Sequence, residues 1–452
     1  MKRLFIANRG EIAVRIIRTA HDLGLETVLG ASEADHEGYA AQLSDRVVAI
    51  GPEQACQSYL NVPAMVEAIE RSGADAVHPG YGFLSEDPTF ARTVEALGVT
   101  WVGPRPDTIA LMGNNVSARA AAVAADVPVL PGSAAAIDPD ADLEEQAAHI
   151  GYPVFIKAAA GGDGRGIRIV PTPDRLRPEL RVAMAEASAA FGDPTVYLER
   201  YVDAARHVEV QILGDGRDVV HLFDRDCTLQ RRGRKIVEEA PAPGLPDAVR
   251  TDMLAAAVRL GQSCDYRGVG TVEFLYDRGR EAAYFIEMTT RLQVEHPVTE
   301  MVTGIDLVRQ QLLIADGQRL GVAQHQVTCT GHAIEARINA ENTAVGFAPS
   351  PGTVRDVRWP GGPGVRVDDG VTTGSVVSPY YDTLIAKVVA WDSHRDAALH
   401  RARRAVSEIR VDGISTTSSY VHSVLTHPRV QANDHDTGFL EHYAEPERIG
   451  AR

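Results

Sequence analysis

The sequence predicts an α/β protein built from several units. Three stretches carry that expectation: an opening in which a strand-like run, a helically spaced run and a second strand-like run succeed one another (residues 3–29), a Gly-rich loop between two strand-like runs (152–170), and an acid-bearing hairpin (271–289). Strand and helix patterns that alternate along a chain suit a sheet covered by helices.

In the opening, Arg3-Leu4-Phe5-Ile6-Ala7 reads as a buried strand and Asn8-Arg9-Gly10 as a tight connection. Ile12, Val14, Ile16, Ile17, Ala20 and Leu23 then recur near helical spacing, Gly24 stops the helix, and 25–29 form the next strand. No GxGxxG stands at the first turn, so a dinucleotide site finds no support. The pattern repeats as a strand at 47–50, a helix at 63–71 and a strand at 76–78. His78 begins HPGYGFLSE, a Gly-rich aromatic loop at a strand's carboxyl end, where open α/β sheets place ligands, although a plain turn carries the same residues. Residues 101–104 close this unit, and an Ala-rich helix at 114–125 leads onward.

The second unit carries a strand at 152–158 with Lys157, then the loop 159–166 and a strand at 167–170. A P-loop would lead into a helix and end in Gly-Lys-Ser/Thr, whereas this loop joins strand to strand. Its glycines let backbone N–H groups crowd around phosphate oxygens, and Lys157 adds positive charge; a surface hairpin is the plain alternative. Glu199, near the end of TVYLERY, offers an acceptor for an adenine amino group or ribose hydroxyls, or is the polar end of a core strand. A third unit opens at 206–211, and 224–243 concentrate Arg231, Arg232, Arg234 and Lys235 in an acidic chain, as an anion pocket or a solvated face would.

The hairpin 271–289 turns at 277–279 and places Glu273 and Glu287 across two strands on one face. Two unneutralised carboxylates so placed repel, and a divalent cation removes the conflict; hard oxygen ligands beside nucleotide phosphates suit Mg²⁺ or Mn²⁺. Directly behind come Arg291, Gln293, Glu295 and His296, a set that can hold a small anion with Arg291 and offer Glu295 as a base. Their density sets this stretch apart from a hairpin with a solvated end.

Composition sets the outer limits. A chain of 452 residues holds two or three subdomains, and a net charge of -16 argues against general nucleic-acid binding while allowing a local basic nucleotide site. The four cysteines form no CxxC pair, so a reducing cytoplasm is expected, and neither an export segment nor a bilayer-spanning run is found. Strands across 354–385 and a helix at 395–409, with Arg401, Arg403 and Arg404 on its solvated face, complete the third unit.

In one continuous order the chain carries IANRGEIAVRIIR, HPGYGFLSE, GYPVFIKA, RHVEVQ, QRRGRKIVEEAPAP, EFLY, the stretch 271–301, GHAIEARINAE, PSPGTV, PYYDTLIAK and DTGFLEHY. These motifs resemble the biotin carboxylases of the ATP-grasp superfamily over nearly the whole chain. The resemblance implies an α/β (α+β) ATP-grasp fold: a Rossmann-like pre-ATP-grasp domain at 1–113, an ATP-grasp domain at 114–330 with a mobile lid at about 129–201, and a C-terminal domain at 331–445. It implies ATP- and bicarbonate-dependent carboxylation of biotin, within an acyl-CoA carboxylase and as a homodimer. No Ala-Met-Lys-Met attachment sequence occurs, so the biotin carboxyl carrier protein and the carboxyltransferase are expected as separate polypeptides.

Residue by residue, the resemblance gives ATP to Asn115, Lys157, the loop Gly161, Gly162, Asp163 and Gly164, then Glu199, the backbone of Arg200, Tyr201 and Val202, and His207, Gln230 and Lys235. Glu273, Glu287 and Thr289 look like the metal ligands. Arg291, Gln293 and the backbone of Val294 are similar to a bicarbonate site, Glu295 to its base, and Arg337 and Tyr81 to a biotin pocket. The chain departs from the pattern at Asn115, where Lys is usual, at Ala160 and Asp163 for glycines, at Gly233 for His and at Thr289 for Asn. Arg165 or Arg234 could supply replacement charge. These departures keep two other readings open: an ATP-grasp ligase for another nucleophile, and a catalytically weak homologue with an assembly role.

Overall fold

The computed structural model describes residues 1–133, 135–137, 143–159 and 167–443. Gly161, Gly162, Asp163 and Gly164, with Ala160 and Arg165, lie outside the described residues.

The first unit comprises β1 (Arg3–Ile6), α1 (Gly10–Asp22), β2 (Glu26–Ala31), β3 (Arg46–Ala49), α2 (Val62–Ser72), β4 (Ala76–His78) and β5 (Thr100–Trp101). Its strands form a parallel sheet in the order β3-β2-β1-β4-β5. Leu4, Phe5 and Ile6 are all buried, as a strand covered on both faces requires, and α1 buries Ile12, Ile16, Ile17 and Ala20. α2 begins where the Asn61 side chain accepts from the Ala64 N–H and ends at Gly73 in the left-handed region. Beyond β4 the loop is pinned by Asn8, whose Nδ2 donates to the carbonyls of Pro79 and Tyr81, each at 2.7 Å. Gly80 sits at φ +62, and a Cβ there would lie 2.7 Å from Asn8 Nδ2, so only glycine lets the loop close on Asn8.

The second unit comprises α3 (Asn115–Ala124), β6 (Val154–Ala158), β7 (Ile167–Val170), α4 (Pro173–Phe191) and β8 (Val196–Arg200). The strands run antiparallel in the order β7-β6-β8, and α4 closes one face with Leu176, Leu180, Ala183 and Ala187. Proline at its start and left-handed Gly192 at its end mark the helix limits.

The largest sheet is formed by β9 (Arg206–Asp215), β10 (Val219–Arg231), β11 (Arg234–Ala240), β12 (Arg267–Asp277), β13 (Ala282–Thr289), β14 (His332–Asn339), β15 (Val365–Asp369) and β16 (Leu384–Asp392). Its order is β13-β12-β9-β10-β11-β14-β16-β15, every neighbour antiparallel. The sheet runs unbroken across residues 330 and 331, since β11 pairs with β14. The expected hairpin is β12–β13: Asp277 Oδ1 accepts from the Gly279 N–H at 2.9 Å, and Glu273 pairs with Glu287.

Candidate active site

Register on the large sheet brings the charged residues together. Glu287 pairs with Glu273, Glu273 with Glu209, and Glu209 with Arg225, so the four form one row across β13, β12, β9 and β10. Directly paired residues share a face. One extra residue on β13, Ile286, shifts the register just past Glu287 and leaves the acid pair intact.

The row is neutralised unevenly. Arg225, fully buried, donates to Glu209 (2.6 Å), Gln211 (2.6 Å), Thr299 (2.9 Å), Thr271 (3.1 Å) and Gln293 (2.6 Å). Lys235 Nζ lies 2.7 Å from Glu209, 2.5 Å from Glu295 and 3.6 Å from Glu273. His207 Nε2 is 2.7 Å from Glu273, and its other nitrogen is 2.8 Å from Gln230 Nε2. Burial and Lys235 oppose the His207 imidazolium, but Glu273 and Glu209 outweigh them and raise its pKa. Glu273 also accepts from Thr289 Oγ1 (2.7 Å) and Gln293 Nε2 (2.6 Å). Among the described residues Glu287 has no hydrogen-bond donor of this kind: burial, then the Glu273 charge, push its carboxyl up to about 7 against the pull of His207 and Lys235.

That imbalance is the chemistry a divalent cation suits. His207, Glu209 and Glu273 also bring ligand atoms within 4.8 Å of one another, but Glu209 is already engaged by Arg225 and Lys235. The Glu273–Glu287 pair, with the Thr289 hydroxyl beside it, fits a metal better.

Glu295 is buried between Lys235 and Arg337, whose Nη2 is 3.1 Å away. Burial favours its neutral form, yet Lys235, Arg337 and Arg225 hold it well below the usual carboxylate range. Arg337 Nε is anchored by Glu238, whose cross-strand partner Glu335 is buried with neither oxygen hydrogen-bonded among the described residues. Burial raises both acids, Glu238 to about 7 and Glu335 well above its ordinary value. Arg291 Nε donates to Glu86 at 2.8 Å. The Val294 carbonyl accepts from Lys387 Nζ at 2.9 Å, and that ammonium lies 5.9 Å from the Tyr81 ring centroid.

The remaining predicted residues stand on the second unit. Lys157 and Glu199 are ion-paired across β6 and β8, and Arg119 Nη1 of α3 is 3.4 Å from the same carboxylate. Phe155 pairs with both Glu199 and Ile169, which places Lys157, Ile167 and Ile169 on one face; the two isoleucines are exposed. An apolar, partly open floor beside a cation suits a purine ring next to its phosphates. Tyr201 packs edge-on against Phe155, and Val202 is buried with Leu130 and Ala205. Arg200 alternates to the opposite face and donates to the Ile150 carbonyl. Its backbone N–H is taken by the Pro131 carbonyl at 2.8 Å and that of Tyr201 by the Pro153 carbonyl at 3.2 Å, so neither of these two amides is open to a ligand. Asn115 spends its amide on the Ala158 carbonyl at 3.1 Å.

Matches to known families follow this layout. Residues 1–109 match the biotin carboxylase N-terminal domain, 114–323 the carbamoyl-phosphate synthase L chain ATP-binding domain, and 335–442 the biotin carboxylase C-terminal domain. The chain belongs to the biotin carboxylase family. Biotin carboxylase 1 of Bacillus subtilis is 47% identical over 444 residues, 98% of this chain and 99% of that protein. The Campylobacter jejuni biotin carboxylase, solved as a β,γ-ATP complex, superposes with a TM-score of 0.94 at 40% identity, covering 98% of this chain and 99% of that one. The biotin carboxylase domain dimer of Hydrogenobacter thermophilus 2-oxoglutarate carboxylase, bound to MgADP, ADP and bicarbonate, gives 0.92 at 39% identity, covering 98% and 99%.

Within this family member, sequence reading missed Glu209, Arg225, Glu238, Lys387 and Arg119. The four on strands carried a signal, since charged residues inside otherwise apolar strands are seldom buried unpaired; Arg119, on the helix α3, carried none of that kind. The basic run 231–235 does not form one patch. Arg232 and Gly233, both at positive φ, make the β10–β11 turn; Arg231 stacks on Phe347 and exposed Arg234 faces Glu341 and Asp382, so Lys235 alone enters the acid row.

Proposed function

We propose that this chain carboxylates biotin carried on a separate carrier protein, using ATP and bicarbonate, as the biotin carboxylase component of a biotin-dependent carboxylase. It is an ATP-dependent carbon–nitrogen ligase. The observation that carries the reading is the row Glu287, Glu273, Glu209 and Arg225, half-buried at Glu287 and buried beyond it, meeting Lys235, Glu295 and Arg337 on the sheet.

In this reading the nucleotide lies between the second unit and the acid row, its base on Ile167 and Ile169 and its phosphates near Lys157 and Lys235. Glu273, Glu287 and Thr289 would hold Mg²⁺ or Mn²⁺, which when bound would supply positive charge to phosphate oxygens. Arg291 and Gln293 orient bicarbonate so that its oxygen attacks the γ-phosphorus in line, and Glu295 accepts its proton. Glu295 is held charged by Lys235 and Arg337, so its affinity for that proton rises when Lys235 turns toward phosphate. ADP leaves as the bond to its β-phosphate oxygen breaks; carboxyphosphate then releases CO₂ beside the ureido ring, the freed phosphate takes the ring N–H proton, Arg337 stabilises the resulting enolate, and the ring nitrogen forms its new bond to the carbon of CO₂. A cation fixed where negative charge develops acts most strongly when water is excluded, and Arg337 is largely buried. The Hydrogenobacter relative bound to MgADP and bicarbonate supports the same ligand set. A homodimer, a biotin carboxyl carrier protein and a carboxyltransferase are the partners this reading assigns. No helix among the described residues is long and apolar enough to cross a membrane.

Bicarbonate-dependent ADP formation, measured with and without free biotin or a biotinylated carrier, tests the reading. Stimulation by biotin is expected. Turnover only with another acceptor would indicate a ligase of different specificity, and ATP binding without turnover an assembly subunit.

A further inference from the structure

Glu199 is 3% exposed and carries two cations: Lys157 at Oε2, and Arg119 at Oε1 at 3.4 Å. A buried carboxylate left without a counter-charge is strongly destabilising, so a lysine that is the sole partner of such an acid is not free to serve a ligand. Arg119 changes that. It rises from α3, donates through Nη2 to the Leu130 carbonyl, and lies against Gly132, where a Cβ would be 3.2 Å from Nη2. Gly132 in turn bridges Glu199 on β8. The guanidinium is thus held by backbone on one side and by Glu199 on the other, independently of Lys157.

We propose that Arg119 is a nucleotide-positioning residue: it remains on Glu199 as the resident counter-charge and releases Lys157 to a triphosphate. The proposal rests on the reading that the Lys157 face receives ATP. Two cations share one acid here, so Lys157 can turn to an anion while Glu199 stays paired. Without Arg119 the lysine is pinned by the acid and the phosphates lose their cation. Arg119 itself need not touch the nucleotide, and its effect depends on the charge of Glu199.

Binding of ATP and of adenosine, measured by calorimetry on the full chain, separates this role from a packing role. Arg119→Met is expected to weaken ATP about tenfold, the loss of one charge-assisted contact, while leaving adenosine within about twofold. In a Glu199→Gln background no acid remains to pin Lys157, so adding Arg119→Met should change ATP affinity less than about twofold. Arg119→Lys, which keeps the charge, should recover most of the loss and serves if the methionine variant does not fold. The proposal is overturned if Arg119→Met leaves ATP affinity unchanged, if adenosine weakens as much as ATP, or if the two substitutions add. Failure of the wild-type chain to bind ATP would instead remove the nucleotide reading on which the proposal stands.

Discussion

Asn115 opens α3 with two donors turned to the end of β6, its N–H to the Ala159 carbonyl at 3.0 Å and its Nδ2 to that of Ala158. A neutral side chain tied to the end of the strand that carries Lys157 helps to join α3 to the sheet β7-β6-β8, but it brings no charge to phosphates. Asn115→Lys replaces that tie with an ammonium beside the proposed triphosphate site. A charge-assisted hydrogen bond is worth about 1.5–3 kcal/mol, so ATP should bind roughly ten- to a hundredfold more tightly. A cation in the first helical turn opposes the helix dipole by about 0.3–1 kcal/mol, so the melting temperature should fall slightly. Calorimetric titration with ATP checks the first effect; equal affinities in the two proteins would place Asn115 away from the phosphates. Arg119, one helical turn along, is turned to Glu199.

The acid row is a property of paired strands, and Arg225 is its fixed end. Its guanidinium satisfies Glu209, Gln211, Thr299, Thr271 and Gln293 at once, tying β10 to β9, β12 and the helix His296–Thr303. Arg225→Met should cost about 3–5 kcal/mol, because the buried Glu209 loses a counter-charge and several acceptors lose their donor. Thermal denaturation followed by circular dichroism should show the midpoint falling by several degrees, with Arg225→Met/Glu209→Gln recovering part of it; an unchanged midpoint in the single variant would mean the hub carries no stability. How legible these elements were depended on sequence distance. The hairpin was readable because an alternating run, a turn held by Asp277 and a second alternating run stand side by side, so Glu273 and Glu287 meet through local pairing. Glu209 and Arg225 meet only because β9 and β10 pair in one register, and Lys387 reaches Val294 across 93 residues. Sequence alone cannot set such registers, and it read the basic run 231–235 as one patch because the turn at Arg232 and Gly233 separates those side chains only in three dimensions.

At the scale of the whole molecule the site exists because the units close on one another. The helical spacing of Ile12, Ile16 and Ile17 showed that α1 would bury a face, but not that the same cluster takes in Leu213 and Leu222 of the large sheet and Leu292. The seam placed near residue 330 is likewise bridged by β11 and β14, through which Glu238 reaches Arg337. His78 lies at this closure. It is fully buried at the end of β4; its Nδ1 accepts from the Gly80 N–H at 3.0 Å and its Nε2 lies 3.2 Å from Gln311 Oε1 of the helix Leu307–Ala315. With one nitrogen occupied as an acceptor, the ring is held neutral, and burial moves its pKa from 6.5 down to about 4. The unfolded chain therefore takes up a proton that the folded chain refuses. The stability this ring contributes is fully present above pH 6.5 and is lost as the pH falls toward about 4, a total of about 3 kcal/mol. In His78→Gln the amide can still accept from Gly80 but cannot titrate, so its melting temperature should be lower at pH 7 yet fall less between pH 6.5 and 4 than that of the wild type. Parallel curves for the two proteins across that window would show that His78 is not the group that titrates, whereas converging curves would tie acid lability to the contact between the first unit and the rest of the chain.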